Sequence, residues 1–163
     1  MPVEMFFRLD GVQGDTKNYQ HKGWSDVVSW HWGMSATVDS SGARKTSIDE
    51  ISITKHVGID STALMLLFSQ GATVKNAEIN VIPVVAKREA RQKYLHMQLE
   101  DVTIKSIETG GSAGEDIFNE HVTLNFGRVR LTYNPYLVAS AESPDATSQD
   151  YKYGWNIQTN EEW

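Results

Sequence analysis

Apolar residues recur at every second position over most of this chain, a spacing that belongs to strands rather than helices. Residues 3–9 form the first such run, closed by the turn-rich Asp10-Gly11-Val12-Gln13-Gly14-Asp15. Residues 15–24 are polar and read as a loop. Over 26–35 the period places Val28, Trp30, Trp32 and Met34 on one face, and Ser29, His31, Gly33 and Ser35 on the other. The first face is apolar and needs cover; the second is small and polar and tolerates water. Residues 37–47 have no period and many turn formers, which predicts an extended, mobile loop. Such length in a compact domain is often functional. A strand over 48–56 then carries Ile51 and Ile53 inward.

One segment breaks the rule. Asp60 or Ser61 caps a helix in which Leu64, Leu67 and Phe68 recur at helical spacing, and Gly71 stops it. Its run Ala63-Leu64-Met65-Leu66-Leu67-Phe68 is apolar nearly all round, so more than one side needs cover, from a sheet or a neighbouring chain. Strands resume with Ala77, Ile79 and Val81, until Pro83 marks a strand end or an edge. Residues 87–93 read as a charged turn. Leu95, Met97 and Leu99 sit on odd positions, then Val102 and Ile104 on even ones, so a bulge or bend is expected near Glu100-Asp101. Val122, Leu124 and Phe126 change phase to Val129, Leu131 and Tyr133 across Gly127. Such switches suit the corners of a curled sheet or barrel. Residues 138–150 read as a loop, and the aromatics of 151–157 predict a docked terminal strand.

The 163 residues read as a single domain, 1–163, long enough to bury a core without staples. Cysteine is absent, which removes disulfides, thiolate metal sites and a cysteine nucleophile. A net charge of −6 argues against nucleic acid as a partner, because such binders concentrate positive charge. No apolar run is long enough for a membrane-spanning helix, so membrane insertion is not expected. The opening Met-Pro-Val-Glu-Met-Phe-Phe-Arg lacks the basic start of a secretory signal, so any export is expected to use another route.

Motifs for chemistry are weak. Gly110-Gly111-Ser112-Ala113-Gly114 fits the nucleophile-elbow pattern, but the following segment alternates as a strand where the elbow needs a helix. A hairpin or glycine-rich loop fits better. No Gly-Lys-Ser/Thr follows to make a phosphate loop. The histidines at 21, 31, 56, 96 and 121 show no metal-ligand spacing and read as lone strand or surface residues. His31 alone stands out, on the polar face of the Trp30/Trp32 strand, where it could contact whatever that face binds. Asp49-Glu50, Glu100-Asp101, Glu115-Asp116 and Glu161-Glu162 are adjacent carboxylates that point to opposite strand faces, and read as solvated turns. The residues thus describe a mostly β domain with one helix, no catalytic set, no cofactor and no metal. A binding or assembly protein is the expectation. A carbohydrate- or peptide-binding β domain using the tryptophans is the alternative, and a small hydrolase at Ser112 is a third reading.

The sequence resembles the hemolysin-coregulated protein (Hcp) family of type VI secretion over nearly its whole length. The carriers are Met5-Phe6-Phe7-Arg8-Leu9-Asp10-Gly11-Val12-Gln13-Gly14-Asp15, Trp30-His31-Trp32-Gly33-Met34-Ser35, Ile53-Thr54-Lys55-His56 and Asp60-Ser61-Thr62. They continue with Thr109-Gly110-Gly111-Ser112-Ala113-Gly114-Glu115-Asp116, Val122-Thr123-Leu124-Asn125-Phe126 and Tyr153-Gly154-Trp155-Asn156-Ile157. Each is short; their order and spacing together are specific. Asp15-Thr16 stands where the family usually has Glu-Ser, which keeps charge and hydroxyl.

The resemblance implies a mainly β fold: a two-sheet β-barrel with one flanking α-helix, assembling into a hexameric ring. Rings stack into a hollow tube that carries effector proteins, with a VgrG-like spike and sheath proteins as further partners. The chain is then a structural subunit rather than an enzyme, cytoplasmic and then secreted through type VI secretion without a signal peptide. A closing ring needs two different complementary surfaces, and the apolar helix is a candidate for one. On this reading Ser29, His31, Gly33 and Ser35 face the lumen, with His31 touching cargo. The loop of Asp39, Ser40, Ser41, Gly42, Ala43, Arg44, Lys45 and Thr46 reaches a neighbouring subunit or the next ring. Trp30, Trp32, Phe126, Tyr133 and Trp155 hold the barrel.

Overall fold

The computed structural model describes residues 2–84, 94–134 and 149–163. The charged turn expected over 87–93 and most of the loop expected over 138–150 lie outside the described residues. The elements run β1 Val3–Leu9, β2 Ser25–His31, β3 Met34–Val38, β4 Arg44–Ile48, β5 Ile51–His56, α1 Ser61–Gln70 and β6 Thr73–Pro83. They continue β7 Leu95–Thr109, β8 Asn119–Asn125, β9 Arg128–Tyr133, β10 Tyr151–Asn156 and β11 Glu161–Glu162. A short 3-10 turn, Tyr19–His21, interrupts the loop expected over 15–24.

The main sheet has the order β11-β10-β9-β7-β6-β1-β2-β5-β8, and β8 pairs again with β7. The strands β7, β6, β1, β2, β5 and β8 therefore close a barrel, as the mainly β expectation required. Closure is possible because β7 is long and bent. Leu95–Glu100 pair with β9, whereas Thr103–Thr109 pair with β8. Asp101 sits at the bend with φ 54, the phase flip the sequence predicts. Because Glu100 pairs with Arg128 and Asp101 is the bend itself, this carboxylate pair lies within a strand and not in the solvated turn expected. The second flip differs in kind: β8 ends at Asn125 and β9 begins at Arg128, so Phe126-Gly127 joins two strands rather than bending one.

The inward rows supply the core. Phe7, Leu9, Ile51, Ile53, Ile79, Met97, Leu99, Val102, Val122 and Leu124 of the barrel strands, with Val129 of β9, are buried in one core. Leu64 of α1 joins them, with Leu67 partly buried beside it. The helix ends at Gly71, whose φ of 62 favours a residue without a Cβ, as expected. β1 is buried on both faces: Phe6 points away from the barrel and stacks on His21 at 4.2 Å. His21 is thus a buried packing group and not a surface histidine, and the Asn80 side chain lies 2.8 Å from its Nε2. Of the aromatics expected to hold the barrel, Phe126 is buried in the core and Trp30, Trp32 and Trp155 pack against it. Tyr133 falls outside that cluster and pairs instead with Tyr94, ring centroids 5.4 Å apart.

Candidate functional site

The polar row of the Trp30 strand is shorter than alternation predicts. Register against β5 passes from Val27↔Lys55 to Ser29↔Thr54, so Val28 is an extra, bulged residue. A bulge takes one residue out of the alternation. Val27 then turns into the barrel and Val28 is exposed, the reverse of the face expected for Val28. β2 also stops at His31 instead of running on to Ser35. Ser29 and His31 remain exposed and on one face of β2. Gly33 lies in the break, its carbonyl accepting from the Asp49 N–H at 3.0 Å. Ser35 lies on β3, beside Tyr153 and Trp155 in a cleft of about 290 Å³. Met34, expected under cover, is exposed. The structure therefore groups Ser29 with His31, but does not align all four on one strand.

The loop expected over 37–47 is a β-hairpin. β3 and β4 pair from Met34↔Ile48 to Val38↔Arg44 and form a separate two-stranded sheet. Asp39–Ala43 make the turn, and Arg44, Lys45 and Thr46 belong to β4. Ile48 ends that strand, so β5 begins later than expected, at Ile51. The tip is ordered by one carboxylate. Asp39 Oδ1 accepts from the Ser41 hydroxyl at 2.5 Å, the Ser41 N–H at 2.9 Å and the Ala43 N–H at 3.0 Å. These bonds, the Ser41 hydroxyl foremost, hold the Asp39 carboxyl below its ordinary value. Gly42 takes φ 85 in the same turn. Asp-Ser-Ser-Gly between Thr37-Val38 and Arg44-Lys45-Thr46 is a legible hairpin signal. It lacks the apolar alternation because both strands are exposed almost throughout.

A buried ion cluster went unpredicted. Lys55 Nζ lies 3.0 Å from Asp60 Oδ1 and 2.8 Å from Glu120 Oε2, and donates to the His56 carbonyl at 2.7 Å. Lys55, Asp60 and Glu120 are at most 1% exposed. Ser25 Oγ donates to Asp60 Oδ2 at 2.5 Å, and Ser61 Oγ donates to Glu120 Oε2 at 3.0 Å. The cluster ties β2, β5, β8 and the start of α1 together at one point. It also explains why Asp60 precedes the helix without a side-chain capping bond: its carboxylate is committed to Lys55 and Ser25. Alternation does place these residues. Lys55 follows Ile51 and Ile53 on the inward row of β5, Glu120 precedes Val122 and Leu124 on that of β8, and the two are register partners.

The glycine-rich motif lies in the connection from β7 to β8. A strand follows it, so the elbow that a Ser112 nucleophile requires is not formed. Gly111 packs against the Phe118 ring, where a Cβ would stand 2.3 Å from Cδ1. Among the described residues no group of three or more His, Asp or Glu is placed to hold a metal. The outer side of α1 exposes Met65, Leu66 and Phe68, so the barrel covers only part of its apolar circumference.

The described residues thus form a closed barrel with a projecting hairpin, an apolar helix face left exposed and a buried ion cluster that fastens the helix. A family model described as "Type VI secretion system effector, Hcp" matches residues 6–133. Protein hcp1 of Pseudomonas aeruginosa strain PAO1 is 34% identical over 165 residues, covering 98% of each chain. Hcp1 from Salmonella typhimurium superposes over 100% of both chains with a TM-score of 0.78 at 21% identity. Another solved structure, of a type six secretion system protein, gives 0.84 at 19% identity, covering 99% of this chain and 100% of its own. The chain belongs to the Hcp family, and its role is that of a tube and effector protein of type VI secretion.

Proposed function

We infer that the chain is the repeating unit of a hexameric ring, that rings stack into a hollow tube, and that the tube conveys effector proteins behind a VgrG-like spike inside a sheath. The unit works by shape and not by catalysis, and passes from the cytoplasm to the outside through the type VI apparatus. The observation that carries this reading is the β3–β4 hairpin. Among the described residues its strands pair only with each other, and a two-stranded hairpin is marginal alone in water. A neighbouring copy would give it the missing contacts. The exposed Met65, Leu66 and Phe68 offer a second, different surface, as a head-to-tail ring needs. Particle mass in solution tests the reading. A species of ring mass, with a central hole in averaged micrographs, is expected. A monomer at high concentration would overturn it.

The tryptophan-based binding domain is less well supported, because Trp30, Trp32 and Trp155 pack against the core. Within the ring, Ser29 and His31 are the exposed polar pair we assign to the lumen, with Gly33 in the break after β2 and Ser35 on the hairpin's first strand continuing that path. His31→Glu is expected to leave rings intact and to change which effectors co-purify. Unchanged pull-down of every effector would remove His31 from this role.

A further inference from the structure

Among the described residues, four charged side chains stand on open strand edges without a partner. Arg44 and Lys45 open β4, and Glu161 and Glu162 form β11; all are exposed. None has an ion pair or side-chain hydrogen bond among the described residues. Among the described residues β4 pairs with β3 alone and β11 with β10 alone, so each offers one open edge there. An exposed edge is a template for pairing with another chain. Charge selects between the possible matches. β4 is a basic edge, and β11 is an edge built entirely of carboxylates. Two other partly open edges offer β4 no free acid: β1 beyond Phe6 carries Glu4, which already accepts from the Asn18 amide at 3.4 Å, and the free end of β2 carries none past Asp26.

We propose that the β4 edge of one copy docks on the β11 edge of its neighbour, with Arg44 and Lys45 meeting Glu161 and Glu162, so that a sheet runs from one copy into the next. The occupant is a second copy of this chain, and the proposal rests on the assembly reading above. Lys45 is the outward member of the basic pair. Arg44 and Thr46 line the cleft shared with Tyr153 and Trp155 of their own chain, and strand alternation turns Lys45 the other way. Glu161 and Glu162 point to opposite faces of β11, so edge docking puts one of them within reach of Lys45. Charge pairs at such a rim set orientation and partner choice more than affinity. They also explain how a chain of net charge −6 could bring copies together: the hairpin carries a local positive end to an acidic edge.

The chain has no cysteine, so paired substitutions report contacts without background. Two differently tagged chains, one Lys45→Cys and the other Glu162→Cys (Glu161→Cys in parallel), are co-expressed, purified as the assembly and oxidised. A disulfide joining the two tags is expected for one of the two acidic positions, and not when Lys17→Cys replaces Lys45→Cys. Using chains that each carry one cysteine excludes a bond within a chain. If rings form and neither acidic position joins Lys45, the docking is wrong and the assembly reading stands. If the unsubstituted chain forms no ring, both fall. Charge exchange supplies the second arm. Arg44→Glu with Lys45→Glu is expected to raise the concentration needed for assembly on the order of tenfold, and adding Glu161→Lys with Glu162→Lys to restore it. Failure of the restoration, with each variant folded, also overturns the docking.

Discussion

Lys55→Met is expected to destabilise the monomer by roughly 3–5 kcal/mol, because it strips the counter-ion from two carboxylates that stay buried. Met has similar reach, so packing volume changes little and the loss is electrostatic. Among the described residues Asp60 then keeps the Ser25 hydroxyl and Glu120 the Ser61 hydroxyl as side-chain partners. At about 2–4 °C per kcal/mol for a domain of this length, the midpoint of thermal unfolding falls by about 10 °C. Adding Asp60→Asn and Glu120→Gln to Lys55→Met should recover a large part of the loss, since neutral amides cost far less to bury than unpaired charges. Urea unfolding of the variants checks both steps. A single substitution costing under about 1 kcal/mol would show that water reaches the cluster, against its burial here.

This cluster marks how far the sequence carries. Alternation located β1, β5, β6 and β8, and helical spacing located α1, because each has one row in contact with the core and burial imposes the period. The same row contains Lys55 and Glu120, which the eye passes over as solvent residues because charge normally means exposure. Their inward phase was legible; their partnership was not, since it depends on a register between strands 65 residues apart in the chain. The hairpin failed for the opposite reason. β3 and β4 are exposed on both faces, so no burial writes a period into them, and only turn chemistry at Asp39–Gly42 remained to be read. The bulge at Val28 is a third kind of loss. Phase within a strand assumes no extra residue, and nothing in Val27-Val28 announces one. For the proposed site, the exposed pair Ser29 and His31 came from alternation, and the order of motifs that resembles Hcp came from local sequence. The free β11 edge came from topology alone.

Removing residues 39–46, so that Val38 joins Ser47, is expected to separate assembly from folding. Among the described residues β3 and β4 share no ladder with the barrel, so the barrel loses no strand pairing seen there. Its unfolding free energy should move by less than about 1 kcal/mol, the range of surface changes that touch no core group. Shortening the connection between β2 and β5 lowers loop-closure cost slightly, which works in the same direction as retained stability. Assembly behaves differently. The deletion takes away Arg44 and Lys45 together with the only two-stranded arm among the described residues that projects from the barrel, so ring or stack formation is expected to be lost. Particle mass and thermal unfolding measured on one preparation distinguish the outcomes. A folded monomer is the expected result. An unfolded chain would mean that the hairpin supports the barrel from within, through Trp32 and the Asp49 carbonyl that its indole N–H reaches at 3.0 Å. Normal tubes would mean that copies meet through the exposed Met65, Leu66 and Phe68 face without the arm.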